Sequence, residues 1–194
     1  MKNEDVSIIK LLLEHKNEDL NINNIACLLK KNYKTVYTIV KRLEDLKIIT
    51  VKRFGKSLKV ELVNKLHFFV FLAEYERKEE ILKNKDLTVM LDSFLNGIKT
   101  KCFILLLFGS YAKKSNTKNS DIDLMFIVPD EDKEETEKNM HNIASLLPLN
   151  LHINVFKESE FINMKNSKEI TVGSEAMNNN IILYGIEMYY ELIK

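Results

Sequence analysis

The sequence of 194 residues predicts a mixed α/β (α+β) protein divided into two domains. Helical patterns followed by a hairpin-like alternation occupy residues 1–64, whereas helical and strand-like segments alternate after residue 85. Positive charge is concentrated at the start. Residues 1–62 hold 13 Lys and Arg against 8 Asp and Glu, and the remaining 132 hold 16 against 20. These observations predict a basic helical domain and then a domain built on a small sheet.

The first domain has the element order of a winged helix-turn-helix. Apolar residues recur at helical spacing in "VSIIKLLLEH", "EDLNINNIACLLKK" and "NYKTVYTIVKRLEDLK". The stretch "IITVKRFGKSLKVELV" then alternates around Gly55, as a β-hairpin does. We therefore predict a winged helix-turn-helix over 1–64, with its third helix as the recognition helix.

A long helical segment at 65–85 is predicted to connect this domain to a second one at 86–194. The second domain has strand-like runs at "CFILLLF", at 122–128 and at "LNLHINVF", and a mainly helical tail ending in "NNIILYGIEMYYELIK". Tyr and Met recur at helical spacing in that tail, which indicates packing in the core or across a homodimer.

Composition excludes several classes of protein. The only cysteines, Cys27 and Cys102, lie in apolar surroundings and are interpreted as reduced core residues. The first 18 residues lack the pattern of a signal peptide, and the longest apolar run, 103–108, is far shorter than the roughly 20 residues of a membrane span. We expect a cytoplasmic protein with no membrane partner.

The candidate catalytic and ligand-binding residues lie in "LFGSYAKKSNTKNSDIDLMFIV", which joins two apolar strands. Gly109 and Ser110 end the first strand, where a glycine allows backbone amides to approach an anion. Asp121 and Asp123 are two residues apart, so on a strand they share one face and suit Mg²⁺. Lys113 would neutralise a polyphosphate, and the set fits in-line transfer of a nucleotidyl group. The alternative is a pair of ordinary turns with an aspartate that discourages edge pairing.

The same stretch resembles the signature of the nucleotidyltransferase superfamily that includes DNA polymerase β. It is most similar to the minimal (MNT-type) branch, whose pattern is Gly-Ser, ten residues, Asp-x-Asp. The resemblance implies that Gly109, Ser110 and Lys113 contact a triphosphate and that Asp121 and Asp123 ligate two metals, Mg²⁺ or Mn²⁺. The whole chain also resembles prokaryotic, largely archaeal proteins that join a winged helix to such a domain.

Active members of that superfamily carry a third carboxylate on a later strand. The matching strand here, "LNLHINVF", offers Asn150, His152 and Asn154 on its polar face. His152 could accept a proton as a neutral imidazole, or it is an ordinary polar residue at a sheet edge. Glu158 and Glu160, just beyond the strand, are the remaining alternatives.

The winged helix predicts a second binding surface, for double-stranded DNA. Between residues 28 and 60 the sequence has ten basic residues and two acidic ones. The predicted DNA-binding residues are Lys34, Thr35, Tyr37, Thr38, Lys41, Arg42, Lys52, Arg53 and Lys56. The alternatives are a solvated helix face and a protein-docking module.

Two hypotheses about function follow. The first is an Mg²⁺-dependent enzyme that transfers a nucleoside monophosphate from a nucleoside triphosphate, with ATP expected, to a hydroxyl of a protein, an RNA end or a small molecule. The MNT-type resemblance implies a partner toxin as the protein acceptor, so that the chain would be antitoxin-like. The second is a non-catalytic transcriptional regulator that senses a nucleotide.

Overall fold

The computed structural model describes residues 3–55, 57–167 and 171–194. The chain divides into two compact units, Met1–Glu76 and Arg77–Lys194. The predicted fold class is confirmed, because helices and a two-stranded sheet form the first unit and a mixed sheet with flanking helices forms the second. The finer division into 1–64, 65–85 and 86–194 stays a prediction. Within the described residues, no helix is long and apolar enough to cross a membrane.

The first unit contains three helices followed by an antiparallel hairpin. Its elements are α1 (Asn3–Glu14), α2 (Ile22–Leu28), α3 (Tyr33–Asp45), β1 (Ile49–Phe54) and β2 (Ser57–Leu62). Asn32 caps α3, since its side chain accepts a hydrogen bond from the backbone N–H of Thr35 at 2.8 Å. Val36, Val40 and Leu43 are buried, as their helical spacing predicts. Ile39 is buried as well, whereas Lys34, Tyr37 and Thr38 are exposed on the outer side of the helix.

The second unit is built on four strands with helices between them. Its elements are α4 (Phe68–Ile81), which begins before the division, α5 (Lys85–Gly97), β3 (Ile104–Phe108), α6 (Gly109–Ala112), β4 (Ile122–Val128), α7 (Lys133–Ala144), β5 (Leu151–Lys157), α8 (Glu158–Asn166), α9 (Val172–Asn178), β6 (Ile181–Tyr184) and α10 (Ile186–Leu192). The strand order is β5-β4-β3-β6, with β4 and β5 parallel and the other pairs antiparallel.

Alternation along the strands separates two faces of this sheet. Ile122, Leu124 and Phe126 of β4 belong to a core cluster that includes residues of α5 and α7. The alternate positions, beginning with Asp123, point to the opposite face, and α8, α9 and α10 contact the strands there. The pleat of β4 therefore directs one carboxylate away from the main core at the start of the strand.

One expectation from the sequence is incomplete and another is wrong. The tail is mainly helical, in α8, α9 and α10, but Ile181–Tyr184 forms β6 and pairs with β3 at one edge of the sheet. Cys27 and Cys102 are free thiols, but both are exposed rather than buried. In contrast, the tail tyrosines Tyr189 and Tyr190 lie in the core.

Candidate functional site

The Gly-Ser pair lies where the buried strand β3 ends and α6 begins. Gly109 has φ +65°, a left-handed conformation that favours glycine. A Cβ at this position would lie 2.1 Å from Asp123 Oδ2 and 2.9 Å from its Cγ. Only glycine therefore lets the backbone of residue 109 and the carboxylate of Asp123 approach this closely.

Both aspartates lie at the start of β4, beside that turn. Asp123 is the cross-strand partner of Phe108, the residue before Gly109. Asp121 is exposed, whereas the side chain of Asp123 is 24% exposed. The two-residue spacing and the antiparallel register bring the Gly-Ser turn and the carboxylates to one end of the sheet.

The polar residues of β5 reach the same two carboxylates. The parallel register pairs His152 with Asp123, and His152 Nδ1 lies 3.2 Å from Asp123 Oδ1. Asn150 Nδ2 donates a hydrogen bond to Asp121 Oδ1. Asn154 lies two residues further along the strand, and its Nδ2 is buried with no hydrogen-bond partner among the described residues. A bound ligand or water would have to supply that partner.

The structure excludes Glu158 and Glu160 as substitutes for a third carboxylate. Both lie in α8, which follows the far end of β5, and Lys157 is five positions after His152, about 16 Å further along the strand. Glu160 is also held by the ammonium group of Lys133 at 2.8 Å, which lowers the pKa of the Glu160 carboxyl. These side chains belong to the opposite end of the sheet.

Lys113 ends α6 and makes an ion pair that the sequence does not reveal. Its Nζ lies 2.9 Å from Glu175 Oε1 in α9, and the side chains are 43% and 47% exposed. Exposed pairs of this kind contribute at most about 1 kcal/mol, so a triphosphate could displace Glu175. Sixty-two residues separate the partners in sequence, and no local pattern links them.

The donor set at this end of the sheet fits a divalent metal with few protein ligands. No group of three or more His, Cys, Asp or Glu side chains within the described residues has the geometry of a metal site. Mg²⁺ is commonly bound through one or two carboxylates, with water and substrate phosphates as the other ligands. Asp121 and Asp123 match that mode of binding, and the missing side chain of Gly109 leaves room beside them.

The predicted DNA-binding residues of the first unit differ in how freely they face solvent. Lys34 and Arg53 are exposed and have no ion-pair partner among the residues the structure describes. The rings of Tyr33 and Tyr37 stack on the outer face of α3, with their centroids 6.0 Å apart. Thr38, the next residue, is also exposed. Thr35, half-buried, supplies the capped amide described above. Lys56 lies outside the described residues.

Other basic side chains are neutralised within the unit. Lys41 pairs with Glu44 at 2.7 Å, and Lys52 pairs with Glu61 at 2.7 Å. Hydrogen bonds from Lys52 and Lys59 hold the pKa of Glu61 at about 2, well below its ordinary value. The free positive charge of this surface is smaller than the composition predicts.

Arg42, another member of the predicted DNA-binding set, makes an ion pair inside the first unit. Its guanidinium pairs with Asp5, whose side chain is only 6% exposed. A buried carboxylate needs a partner of this kind, because an unpaired buried charge is strongly destabilising. Arg42 therefore joins α3 to α1, and its interaction is internal to the fold.

The family model named "Polymerase beta, Nucleotidyltransferase" matches residues 91–188, which is half of the chain. The chain belongs to this family. The match includes the Gly-Ser turn, both aspartates, all of β5 and Glu175. The predicted family is thus confirmed for the second unit.

Two solved structures resemble part of the chain. MepR, a transcription regulator of the Staphylococcus aureus multidrug efflux pump MepA, is 20% identical over 51% of this chain and 81% of that chain, with a TM-score of 0.37. The S. aureus MepR–DNA complex is 20% identical over 51% and 80%, with a TM-score of 0.36. No inference about fold or function rests on these similarities. No curated protein matches the sequence.

Proposed function

We propose that the second unit is a nucleotidyltransferase that moves a nucleoside monophosphate from a nucleoside triphosphate to an acceptor hydroxyl. The observation that carries this proposal is the close approach of Gly109 and Asp123, which joins an anion-binding turn to a carboxylate at one strand end. Membership of the nucleotidyltransferase family supports the same reaction class. ATP is the nucleotide expected, and a protein or RNA is the acceptor expected.

Each residue has a role in this proposal. Amides at Gly109 and Ser110 hold the triphosphate, and Lys113 exchanges Glu175 for a phosphate oxygen. Asp121 and Asp123 hold Mg²⁺ or Mn²⁺, which would supply charge stabilisation for the phosphoryl group. The acceptor oxygen forms a bond to the α-phosphorus, pyrophosphate leaves, and the hydroxyl proton passes to water at the exposed edge of the site.

The test uses α-labelled nucleoside triphosphates with Mg²⁺ or Mn²⁺ and whole-cell extract as the source of acceptor. Wild type is compared with an Asp121→Asn/Asp123→Asn variant, with Glu158→Gln at the opposite end of the sheet as the matched control. We expect label on an acceptor with wild type and the control only. Nucleotide binding without any transfer would contradict the enzymatic proposal.

A second candidate function is a nucleotide-sensing regulator that performs no chemistry. One observation favours it, namely that His152 and Asn150, rather than a carboxylate, stand opposite the two aspartates on β5. The first unit would then bind an operator in double-stranded DNA in response to the nucleotide. Tight nucleotide binding that changes DNA affinity, without transfer in the labelling experiment, would identify this function.

We also propose that the first unit binds double-stranded DNA through α3 and the hairpin, whether or not the second unit is catalytic. Among the described members of the predicted set, Lys34 and Arg53 are exposed basic residues without an ion-pair partner, and Tyr37 and Thr38 are exposed on the same helix as Lys34. Replacing Lys34 and Arg53 with Ala should weaken DNA binding and reduce its salt dependence. An unchanged salt slope would contradict this proposal. An antitoxin-like role would combine both activities in one chain.

A further inference from the structure

The two aspartates have different partners on the neighbouring strand. Asp121 accepts a hydrogen bond from the neutral amide of Asn150, which has no affinity for a metal through its nitrogen. Asp123 faces the imidazole of His152, whose Nδ1 has a lone pair in one tautomer. Position 123 thus has an imidazole nitrogen beside it as a second potential metal donor, whereas Asn150 presents an N–H group to position 121.

The distance between these two donors matches one edge of a coordination shell. Two ligands bound at right angles to one ion, each about 2.1 Å from it, lie about 3.0 Å apart. His152 Nδ1 and Asp123 Oδ1 are 3.2 Å apart and lie on paired positions of two parallel strands. Little movement would be needed for both atoms to bind the same ion.

The surroundings of His152 are also suitable for a ligand. Its side chain is 65% exposed, and within the described residues the only polar partner of the ring is Asp123. Within the described residues, no other hydrogen bond must therefore be broken when the imidazole turns toward an ion. On its other side, Asp123 lies so close to the backbone of Gly109 that there is no room for a Cβ between them.

We propose that His152 and Asp123 together bind a first-row transition-metal ion, so that the site prefers Mn²⁺ to Mg²⁺. An imidazole nitrogen binds transition-metal ions better than Mg²⁺, which takes oxygen ligands almost exclusively. This inference rests on the proposed function, because it concerns the same site, and it specifies which cation the chain selects and which residue selects it. Water and phosphate oxygens complete the coordination.

The experiment measures Mn²⁺ binding to the full chain without nucleotide, by the loss of the electron paramagnetic resonance signal of free Mn²⁺, and Mg²⁺ binding by competition. His152→Asn should raise the Kd for Mn²⁺ by about tenfold or more and leave the Kd for Mg²⁺ nearly unchanged. His152→Asp should tighten Mg²⁺ binding and remove the preference. Substoichiometric Mn²⁺ should also broaden the nuclear magnetic resonance signals of the His152 ring.

His141→Asn, at an exposed position of α7, is the matched control and should bind both ions as wild type does. The inference is wrong if His152→Asn leaves both dissociation constants unchanged while Asp123→Asn abolishes Mn²⁺ binding, and the proposed function then still stands. If the Asp121→Asn/Asp123→Asn variant binds Mn²⁺ as wild type does, the metal part of the proposed function is wrong as well.

Discussion

The two units use charge in different ways. In the first unit, basic residues are abundant, but Lys41, Arg42 and Lys52 are each paired with a carboxylate of the same unit. In the second unit, the proposed site depends on few charged residues. Two of them, Asp121 and Asp123, lie at the same end of the sheet because of the strand register. The difference shows that an excess of one charge in a sequence overstates the free charge of a surface, whereas a fixed spacing at a strand end predicts which carboxylates lie together.

The largest expected effect on transfer comes from replacing a glycine of the second unit, and a glycine of the first unit is its control. Gly109→Ala places a Cβ against the carboxylate of Asp123 at a left-handed φ of +65°. We expect the free energy of unfolding to fall by about 1–3 kcal/mol and transfer to fall by about a hundredfold or more, since a displacement of about 1 Å at a reacting centre has such an effect. Urea unfolding and the labelling assay measure the two changes.

Gly55→Ala is the control, because Gly55 has a similar φ of +59° but open space where its Cβ would lie. It should cost about 1–2 kcal/mol through backbone strain alone and leave transfer unchanged. Equal losses of transfer in the two variants would show that the approach to Asp123 has no functional role.

The next largest effect is on stability, and it compares Arg42, which is paired inside the first unit, with Lys34, which is exposed. Arg42→Ala leaves the buried carboxylate of Asp5 unpaired. We expect destabilisation of about 1–3 kcal/mol, below the value for a fully buried pair because the Arg42 side chain is 35% exposed. Lys34→Ala should change stability by less than about 0.5 kcal/mol.

DNA titrations over a series of salt concentrations provide the complementary measurement. Lys34→Ala should reduce the salt slope by about 1, whereas Arg42→Ala, measured where it is fully folded, should not change it. The reverse result would place Arg42, rather than Lys34, on the DNA-binding surface. Asp5→Asn in the Arg42→Ala background should recover part of the lost stability, since it removes the unpaired charge.

A smaller effect concerns the ion pair between Lys113 and Glu175. Glu175→Gln releases the ammonium group of Lys113 at the end of α6. Nucleotide affinity should then rise by up to about fivefold, because an exposed pair is worth at most about 1 kcal/mol. Isothermal titration with a non-hydrolysable ATP analogue measures it, and Glu158→Gln is again the control. Weaker binding in Glu175→Gln would mean that Glu175 assists the nucleotide rather than competing with it.

The smallest effect lies in the hairpin of the first unit. Glu61 holds Lys52 and Lys59, and its pKa is lowered to about 2. Because this pKa lies below the ordinary value of 4.5, the stabilisation is fully present above pH 4.5 and is lost as the pH falls toward about 2. The difference in Tm between wild type and Glu61→Gln should therefore shrink over that range.

At neutral pH, Glu61→Gln should also increase the salt slope of DNA binding by up to about 1, since Lys52 becomes available to a phosphate. A Tm difference that is constant from pH 5 to pH 2 would show that the ion pair does not stabilise the hairpin. An unchanged salt slope would place Lys52 outside the DNA-binding surface.

The sequence predicts the positions of the Gly-Ser turn and the two aspartates because both lie at the ends of recognisable strands. Gly109, Asp121 and Asp123 lie beside or within two apolar strands, and strand alternation then determines which side chains share a face. Ile181–Tyr184 was harder to interpret, since four apolar residues followed by a helical pattern do not distinguish an edge strand from a helix.

Long-range ion pairs could not be predicted for a different reason. Arg42 and Asp5 are 37 residues apart, and nothing near either residue indicates the other. The same holds for Lys113 and Glu175. Only the folded arrangement shows which charges are already neutralised, so the predicted DNA-binding set contained both free and internally paired residues.

The most direct test of the central claim, that the nucleotide and metal site lies at one strand end of the second unit, is paramagnetic broadening of backbone amide signals in the full chain. A non-hydrolysable ATP analogue is added with substoichiometric Mn²⁺. We expect the strongest broadening at residues 109–113, 121–123 and 150–154. Broadening centred on residues 34–53, or none near Asp123, would contradict the account.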